Sequence, residues 1–222
     1  MHDRPPRTYG RVKGRTLTAA SAARVAALLP RLATPPGRFD PRALKPDATE
    51  VWLEIGFGGG EHLAGQAERR PECLILGVEP FVNGVASLVR HVEALALTNV
   101  RVCQGDARDL VARLPDASLD RVFILFPDPW PKARHHKRRL LQTSFIAELA
   151  RVMRPGGRLR FATDWRDYAG WTLERLLKSP AWSWTAARAA DWRMAPADHL
   201  RTRYEAKALG DTPPVFLEFV RR

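Results

Sequence analysis

Five acidic residues stand where short apolar runs give way to turns: Glu54, Glu79, Asp106, Asp128 and Asp164. Glu54 opens the run Glu54-Ile55-Gly56-Phe57-Gly58-Gly59-Gly60, in which Gly56 and Gly58 would let a ligand approach the backbone before a helix begins. A nucleotide cofactor is one reading of such a loop; the conformational need of any tight strand-to-helix turn is the other. The third glycine of the dinucleotide fingerprint falls at Glu61, and Glu54 would repel a pyrophosphate, so a dinucleotide and the dehydrogenase class are disfavoured. S-adenosylmethionine has an ammonium and a sulfonium and no phosphate, which suits a carboxylate-lined turn. Glu79 lies about twenty residues beyond the loop, where an acid accepts ribose hydroxyls. Asp106, in Gly105-Asp106-Ala107, either takes an adenine amino group or caps the following helix.

The most specific segment is Phe126-Pro127-Asp128-Pro129-Trp130-Pro131-Lys132, where alternating prolines hold an acid, an aromatic and a base in fixed order. Lys132, Arg134, His135, His136, Lys137, Arg138 and Arg139 follow, a cluster whose natural use is phosphate contact. His135 and His136 are neighbours whose side chains point apart, and no acid is spaced to complete a metal site, so no metal is expected. Thr163-Asp164-Trp165 places another acid and aromatic together. Trp130, Trp165 and Tyr204 are each candidates to stack on an extruded base, or to serve as packing.

Presenting these residues on one edge requires an open α/β sheet, where ligands lie beyond the carboxyl ends of the strands. From Lys45 onward short apolar runs alternate with amphipathic stretches, the pattern of βαβ units and a mainly parallel, doubly wound sheet. The pattern predicts strands at 51–55, 73–78, 100–103, 121–126 and 158–163, with a closing edge strand at 215–220. Helices are predicted at 60–69, 82–96, 107–113, 138–153 and 168–178. Residues 1–46 read as a basic, Pro-rich arm with one helix-capable stretch, 18–29, stopped by Pro30; residues 47–222 form the enzyme domain. The arm's Arg4, Arg7, Arg11, Lys13 and Arg15 could clamp phosphate or form a solvated tail.

With 222 residues, 45% of them hydrophobic and 27% charged, the composition is that of one soluble globular domain. No apolar run approaches the roughly twenty residues that span a bilayer, and the amino terminus has no secretory apolar core, so the cytoplasm is the expected compartment. Cys73 and Cys103 lie in apolar runs without metal or redox spacing and read as core residues. The formal net charge of +12 favours a polyanionic partner, nucleic acid before membrane.

Together these segments, with Thr202-Arg203-Tyr204-Glu205, resemble the bacterial tRNA (guanine-N7-)-methyltransferase family over most of the chain from about Thr49. The resemblance implies a class I methyltransferase fold, Rossmann-like and seven-stranded with an antiparallel C-terminal strand, and implies S-adenosylmethionine as cofactor and tRNA as partner. It further implies that Glu54, Gly56, Gly58, Glu79, Asp106 and Asp128 contact the cofactor, with Asp128 also the catalytic residue. Lys132, Asp164, Thr202, Arg203, Tyr204 and Glu205 would bind the guanine region, with the variable loop as target. Residues 206–214 are less basic than this family leads one to expect. Guanine N7 carries a lone pair and no proton at neutral pH, so positioning rather than base catalysis is expected. A class I enzyme acting on an exocyclic amino group is the nearest alternative; a noncatalytic RNA-binding protein would have lost the strand-end acids, and all are present. The oligomeric state is not legible.

Overall fold

The computed structural model describes Tyr9, Gly10, Val12, residues 14–207 and residues 209–222. Arg4, Arg7, Arg11 and Lys13 of the basic arm lie outside the described residues. The first strand, β1 (Val51–Ile55), is buried along its whole length, as a strand covered by helices on both faces must be. It pairs in parallel with β2 (Leu74–Glu79) on one side and β4 (Leu119–Leu125) on the other. β3 (Val100–Gln104) flanks β2, and β5 (Met153–Thr163) flanks β4. β7 (Val215–Arg221) runs antiparallel beside β5, and the short β6 (Trp182–Trp184) closes that edge, giving the order β3-β2-β1-β4-β5-β7-β6.

Alternation along the strands divides the core into two. Val51, Leu53 and Ile55 point to one face, where they meet residues of α4 (Ala107–Arg113), α5 (Thr143–Val152) and α6 (Arg166–Lys178). Trp52 points to the other, against α2 (Glu61–Arg69), α3 (Val82–Ala94) and the end of α1 (Ala19–Leu32). A last helical turn, α7 (Ala190–Arg193), follows β6.

Three departures from the sequence reading have physical causes. α1 runs through Pro30 to Leu32 because Leu32 is buried against the second core and Thr34 N donates to Val102 O at 3.0 Å, contacts that outweigh the one helical bond proline cannot make. The helix expected at 138–153 is instead a 3-10 turn, Ala133–Arg138, then α5. Between them the chain leaves helical geometry as Arg139 turns into the interior, and the Gln142 amide donates to His136 O and Arg139 O at 2.8 and 3.1 Å. β6 escaped the strand pattern because it has three residues and pairs only with β7. Both cysteines are free, Cys73 buried and Cys103 half-buried.

Asn99 ties the end of α2 to the start of β2. It is buried, and its amide donates to Ala67 O, Arg70 O and Cys73 O, each at 3.0 Å. Replacing it with Leu leaves those carbonyls without their donor and should cost about 2–3 kcal/mol. In a chain of this size that is a fall of roughly 4–10 °C in Tm by thermal denaturation.

Candidate active site

The strand order reverses between β1 and β4, which leaves an opening beyond their carboxyl ends. Gly56 and Gly58 hold positive φ of 74° and 54°, and a Cβ built on either would meet nothing within 4 Å, so the loop borders a hollow. Gly84 lets α3 press on the same loop, since a Cβ there would fall 2.3 Å from Gly58 O. Glu79 pins the loop to β2: its carboxylate accepts from Gly58 N at 2.9 Å and Phe81 N at 3.0 Å. Burial raises the Glu79 carboxyl above its ordinary range, the two amides oppose this, and the nearby charges of Asp128 and Glu54 add to it. Glu79 is thus within electrostatic reach of two further acids, Glu54 and Asp128, of which Asp128 lines the hollow.

The hollow is lined by Gly56, Val78, Gly105, Asp106, Asp128 and Trp130, among others. Asp106 caps α4, accepting from Arg108 N at 2.9 Å, and its carboxylate is gripped by the Arg108 guanidinium at 2.9 and 2.6 Å. The capping role is therefore realised, on a residue that also lines the hollow. Opposite it, the Arg138 guanidinium lies over the rings of Tyr9 and Trp130, at 5.3 and 4.9 Å from their centroids.

The proline-bracketed segment leaves β4 under strain. Phe126 and Trp130 adopt φ of 50° and 45°, a region non-glycine residues avoid at a cost of about 1–3 kcal/mol each. Phe126 N donates to Ala162 O of β5 at 2.8 Å, which anchors the start of the loop. Asp128, between these two residues, makes no hydrogen bond or ion pair among the described residues. Solvent reaches it, yet the surrounding walls desolvate its carboxyl enough to raise its pKa above the ordinary aspartate value.

The basic cluster divides. Lys132, Arg134 and Lys137 are exposed, as phosphate contact requires. Arg139 is only 2% exposed, so its assignment to phosphate contact is corrected. Its Nε donates to Pro129 O at 2.9 Å, its other end pairs with Asp167, and its guanidinium lies over Tyr168 and Trp171 at 4.9 and 5.0 Å. It is a strut under the Asp128 loop. His136 also approaches Asp167, at 3.3 Å. Desolvation and then the crowd of Arg138, Arg134, Lys132 and Lys137 lower the pKa of His135.

A second hollow lies beyond β5, lined by Asp164, Arg201, Glu205 and residues 210–214. Asp164 is 3% exposed; its Oδ2 accepts from Gly210 N at 2.9 Å, while its Oδ1 is buried without a hydrogen-bond partner among the described residues. Thr202 Oγ1 accepts from Glu205 N at 3.2 Å, Arg203 pairs with Glu61 at 2.5 Å, and Glu205 accepts from His199 Nε2 at 2.8 Å. The Tyr204 ring lies 5.8 Å from that of Phe126, and burial, with Asp164 and Asp128 nearby, raises its phenol. Tyr204 therefore stands between the two hollows, Trp130 walls the first, and Trp165 packs on the α6-side core.

Glu54 is buried under the glycine loop and accepts from His62 Nδ1 at 2.6 Å. Sequence reading missed His62, His199, the Arg108 grip on Asp106 and the strut role of Arg139, because none belongs to a spaced motif. Among the described residues no group of three or more His, Cys, Asp or Glu could hold a metal, and no helix is long and apolar enough to cross a membrane.

Residues 48–216 match a family model described as "Putative methyltransferase". The chain is 61% identical over 217 residues to the tRNA (guanine-N(7)-)-methyltransferase of Caulobacter sp. (strain K31), covering 98% of this chain and 96% of that protein. To the protein of the same name in Hyphomonas neptunium it is 47% identical, covering 96% and 98%. In fold it is similar to the 16S rRNA (adenine(1408)-N(1))-methyltransferase from Catenulisporales acidiphilia, with a TM-score of 0.57 and 20% identity over 86% of this chain and 97% of that one. The chain belongs to the tRNA (guanine-N(7)-)-methyltransferase family.

Proposed function

We propose that the chain transfers a methyl group from S-adenosylmethionine to N7 of a guanine in tRNA, the variable-loop guanine being the expected target. The observation that carries this reading is Asp128: a carboxylate without an ion pair among the described residues, held between two strained residues and lining the hollow bordered by the glycine loop. When bound, the cofactor supplies an electrophilic methyl on a sulfonium centre. The residues present fit it, since Gly56 and Gly58 leave open space and the surrounding acids suit its positive charge. Glu54 would serve the methionine moiety, Glu79 would accept from the ribose hydroxyls with the lone pairs its backbone donors leave free, and Asp106 would serve the adenine.

Guanine N7 needs no base, so Asp128 takes no proton; it orients the acceptor and stabilises the positive charge that reaches the purine. Asp164, whose Oδ1 has no hydrogen-bond partner among the described residues, accepts from the guanine edge, and Thr202, Arg203, Tyr204 and Glu205 frame it. Lys132, Arg134 and Lys137 hold the phosphodiester backbone.

Asp128→Asn should lower kcat about 100- to 1000-fold while cofactor affinity stays within a few-fold, read by labelled methyl transfer to unmodified tRNA and by chain cleavage at N7-methylguanine. Full turnover at saturation would remove Asp128 from the chemistry. A carboxyl with a raised pKa holds its proton more tightly in the folded chain than in the unfolded one. Its ionisation therefore penalises the fold at neutral pH, and the penalty fades as pH falls through the raised range. Asp128→Asn should accordingly melt at or above the parent temperature at pH 7.

Replacing Lys132, Arg134 and Lys137 together by Ala should weaken tRNA binding and reduce the slope of log Kd against log salt by about 2–3. Arg139→Met should leave that slope unchanged and instead cost about 2 kcal/mol of stability, because the buried arginine meets Pro129 O and Asp167 rather than phosphate.

A further inference from the structure

The face of α2 made by Glu61, His62, Gly65 and Gln66 carries the segment that holds Thr202 to Glu205. The spacing i, i+1, i+4, i+5 puts these four side by side on the helix. Glu61 pairs with Arg203 at 2.5 Å, and the rings of His62 and His199 lie 5.9 Å apart. Gly65 leaves room for Leu200, whose Cδ1 would sit 2.5 Å from a Cβ there. Gln66 Nε2 donates to Asp198 O at 2.7 Å.

Through this face two sets of hydrogen bonds, linked by the peptide step from Asp198 to His199, join the strand of Glu54 to the segment of Glu205. His62 Nδ1 donates to Glu54 at 2.6 Å, which leaves His62 Nε2 to accept from Gln66 Nε2 at 3.2 Å. The second hydrogen of that amide goes to Asp198 O, and the next residue, His199, donates to Glu205 at 2.8 Å. His62 is 1% exposed and Gln66 3%. Apolar side chains would fill these positions without desolvating polar groups, so what the polar pair adds is direction. It fixes where Glu54 sits relative to Asp198, and hence to Glu205.

We propose that His62, Gln66 and His199 are positioning residues that couple cofactor seating to RNA seating, so that each ligand tightens the other. This rests on the reading that Glu54 faces the cofactor and that Thr202 to Glu205 face the RNA. The occupant of Glu54 pulls on His62 and through Gln66 on the segment; the RNA on Glu205 pulls through His199 in the opposite direction. Reciprocity then requires equal factors both ways.

The test measures Kd for S-adenosylhomocysteine and for a tRNA transcript, each alone and with the other saturating, on the full chain. In the parent each ligand should tighten the other about tenfold, within the ordinary range of such couplings. His62→Leu and His199→Phe keep bulk and remove the bonds; both should bring the factor to within twofold of one while each ligand alone shifts less than about threefold. His199→Gln, which mimics Nε2, should restore most of the coupling, whereas His62→Asn, which keeps the donor to Glu54 at the Nδ1 position but loses the acceptor for Gln66, should not. A merely structural role would lower Tm and both single affinities, with the coupling factor intact. Gln66→Leu gives the same reading should a histidine variant fail to fold. A tenfold factor surviving in variants that bind both ligands overturns the proposal, as does a parent factor of one. Failure of the parent to bind either ligand, or cofactor affinity indifferent to Glu54→Gln, overturns the functional reading on which it rests.

Discussion

Parallel pairing of β1 with both β2 and β4 is the constraint on which the rest of the molecule depends. The connections from β1 and from β4 leave toward opposite faces, since α2 packs with the second core and α5 with the first. Between two chains departing in opposite directions a hollow opens above the strand ends, walled in part by Tyr9 and Gly10. Glu54, Glu79 and Asp128 approach one another because each lies at or just beyond the carboxyl end of a strand, and adjacent parallel strands end side by side. The same pairing decides that Glu54, next to Ile55 but of opposite parity, faces α2, where His62 meets it.

Electrostatically the chain differs between its exterior and its site. A formal charge of +12 surrounds a hollow lined by Asp106 and Asp128 as well as Arg108 and Arg138, and among these Asp106 is paired with Arg108 while Asp128 has no ion pair among the described residues. Outside the site the net charge acts, attenuated by salt over a Debye length, and it draws a polyanion. Within the hollow the individual side chains act, and among the described residues the charge of Asp128 is the one left to meet a cation. The two requirements do not conflict because they operate at different ranges. Their cost is visible locally: burial and mutual repulsion raise Glu79, burial raises Asp128, one oxygen of Asp164 is buried without a partner among the described residues, and two non-glycine residues are strained. Such features persist where the surrounding structure over-determines them, and Arg139 with its aromatic sandwich is part of what does so.

Much of this was legible in the sequence wherever the physics is local. Buried parallel strands are short apolar runs, so β1 to β4 and the second half of β5 stood out, β7 showed as a closing edge strand, and an acid at or just after a strand end marked the site edge. The proline alternation around Asp128 is likewise visible, since proline dictates its own backbone. What sequence could not show is where long side chains go. Arg139 and Lys137 look alike in a basic run, yet one is a buried strut and the other is exposed; only tertiary packing separates them. His62 and His199 are isolated histidines whose significance arises from residues far away in the chain. β6, three residues long, offers too little alternation to be read.

The placement of Asp198 shows how far the substrate segment depends on the sheet. Arg121 and Arg160 are neighbours on β4 and β5, both over the Phe123 ring, at 4.6 and 5.6 Å from its centroid. Two like charges so close need shared counter-ions, and Asp198 supplies one, at 2.8 Å from Arg121 and 2.7 Å from Arg160, with Glu218 supplying another at 2.6 Å from Arg160. Desolvation and the proximity of Arg160 lower the pKa of Arg121, while the guanidiniums hold the Asp198 carboxyl below its usual range against its own burial. Asp198 therefore answers to the charged pair through its side chain and to Gln66 through its carbonyl. Asp198 is thus held at both ends, and the four residues from Thr202 onward follow it in the chain with ties of their own, Arg203 to Glu61 and Glu205 to His199. A rigid sheet thus sets the geometry of a segment that belongs to no regular element of its own beyond one short 3-10 turn.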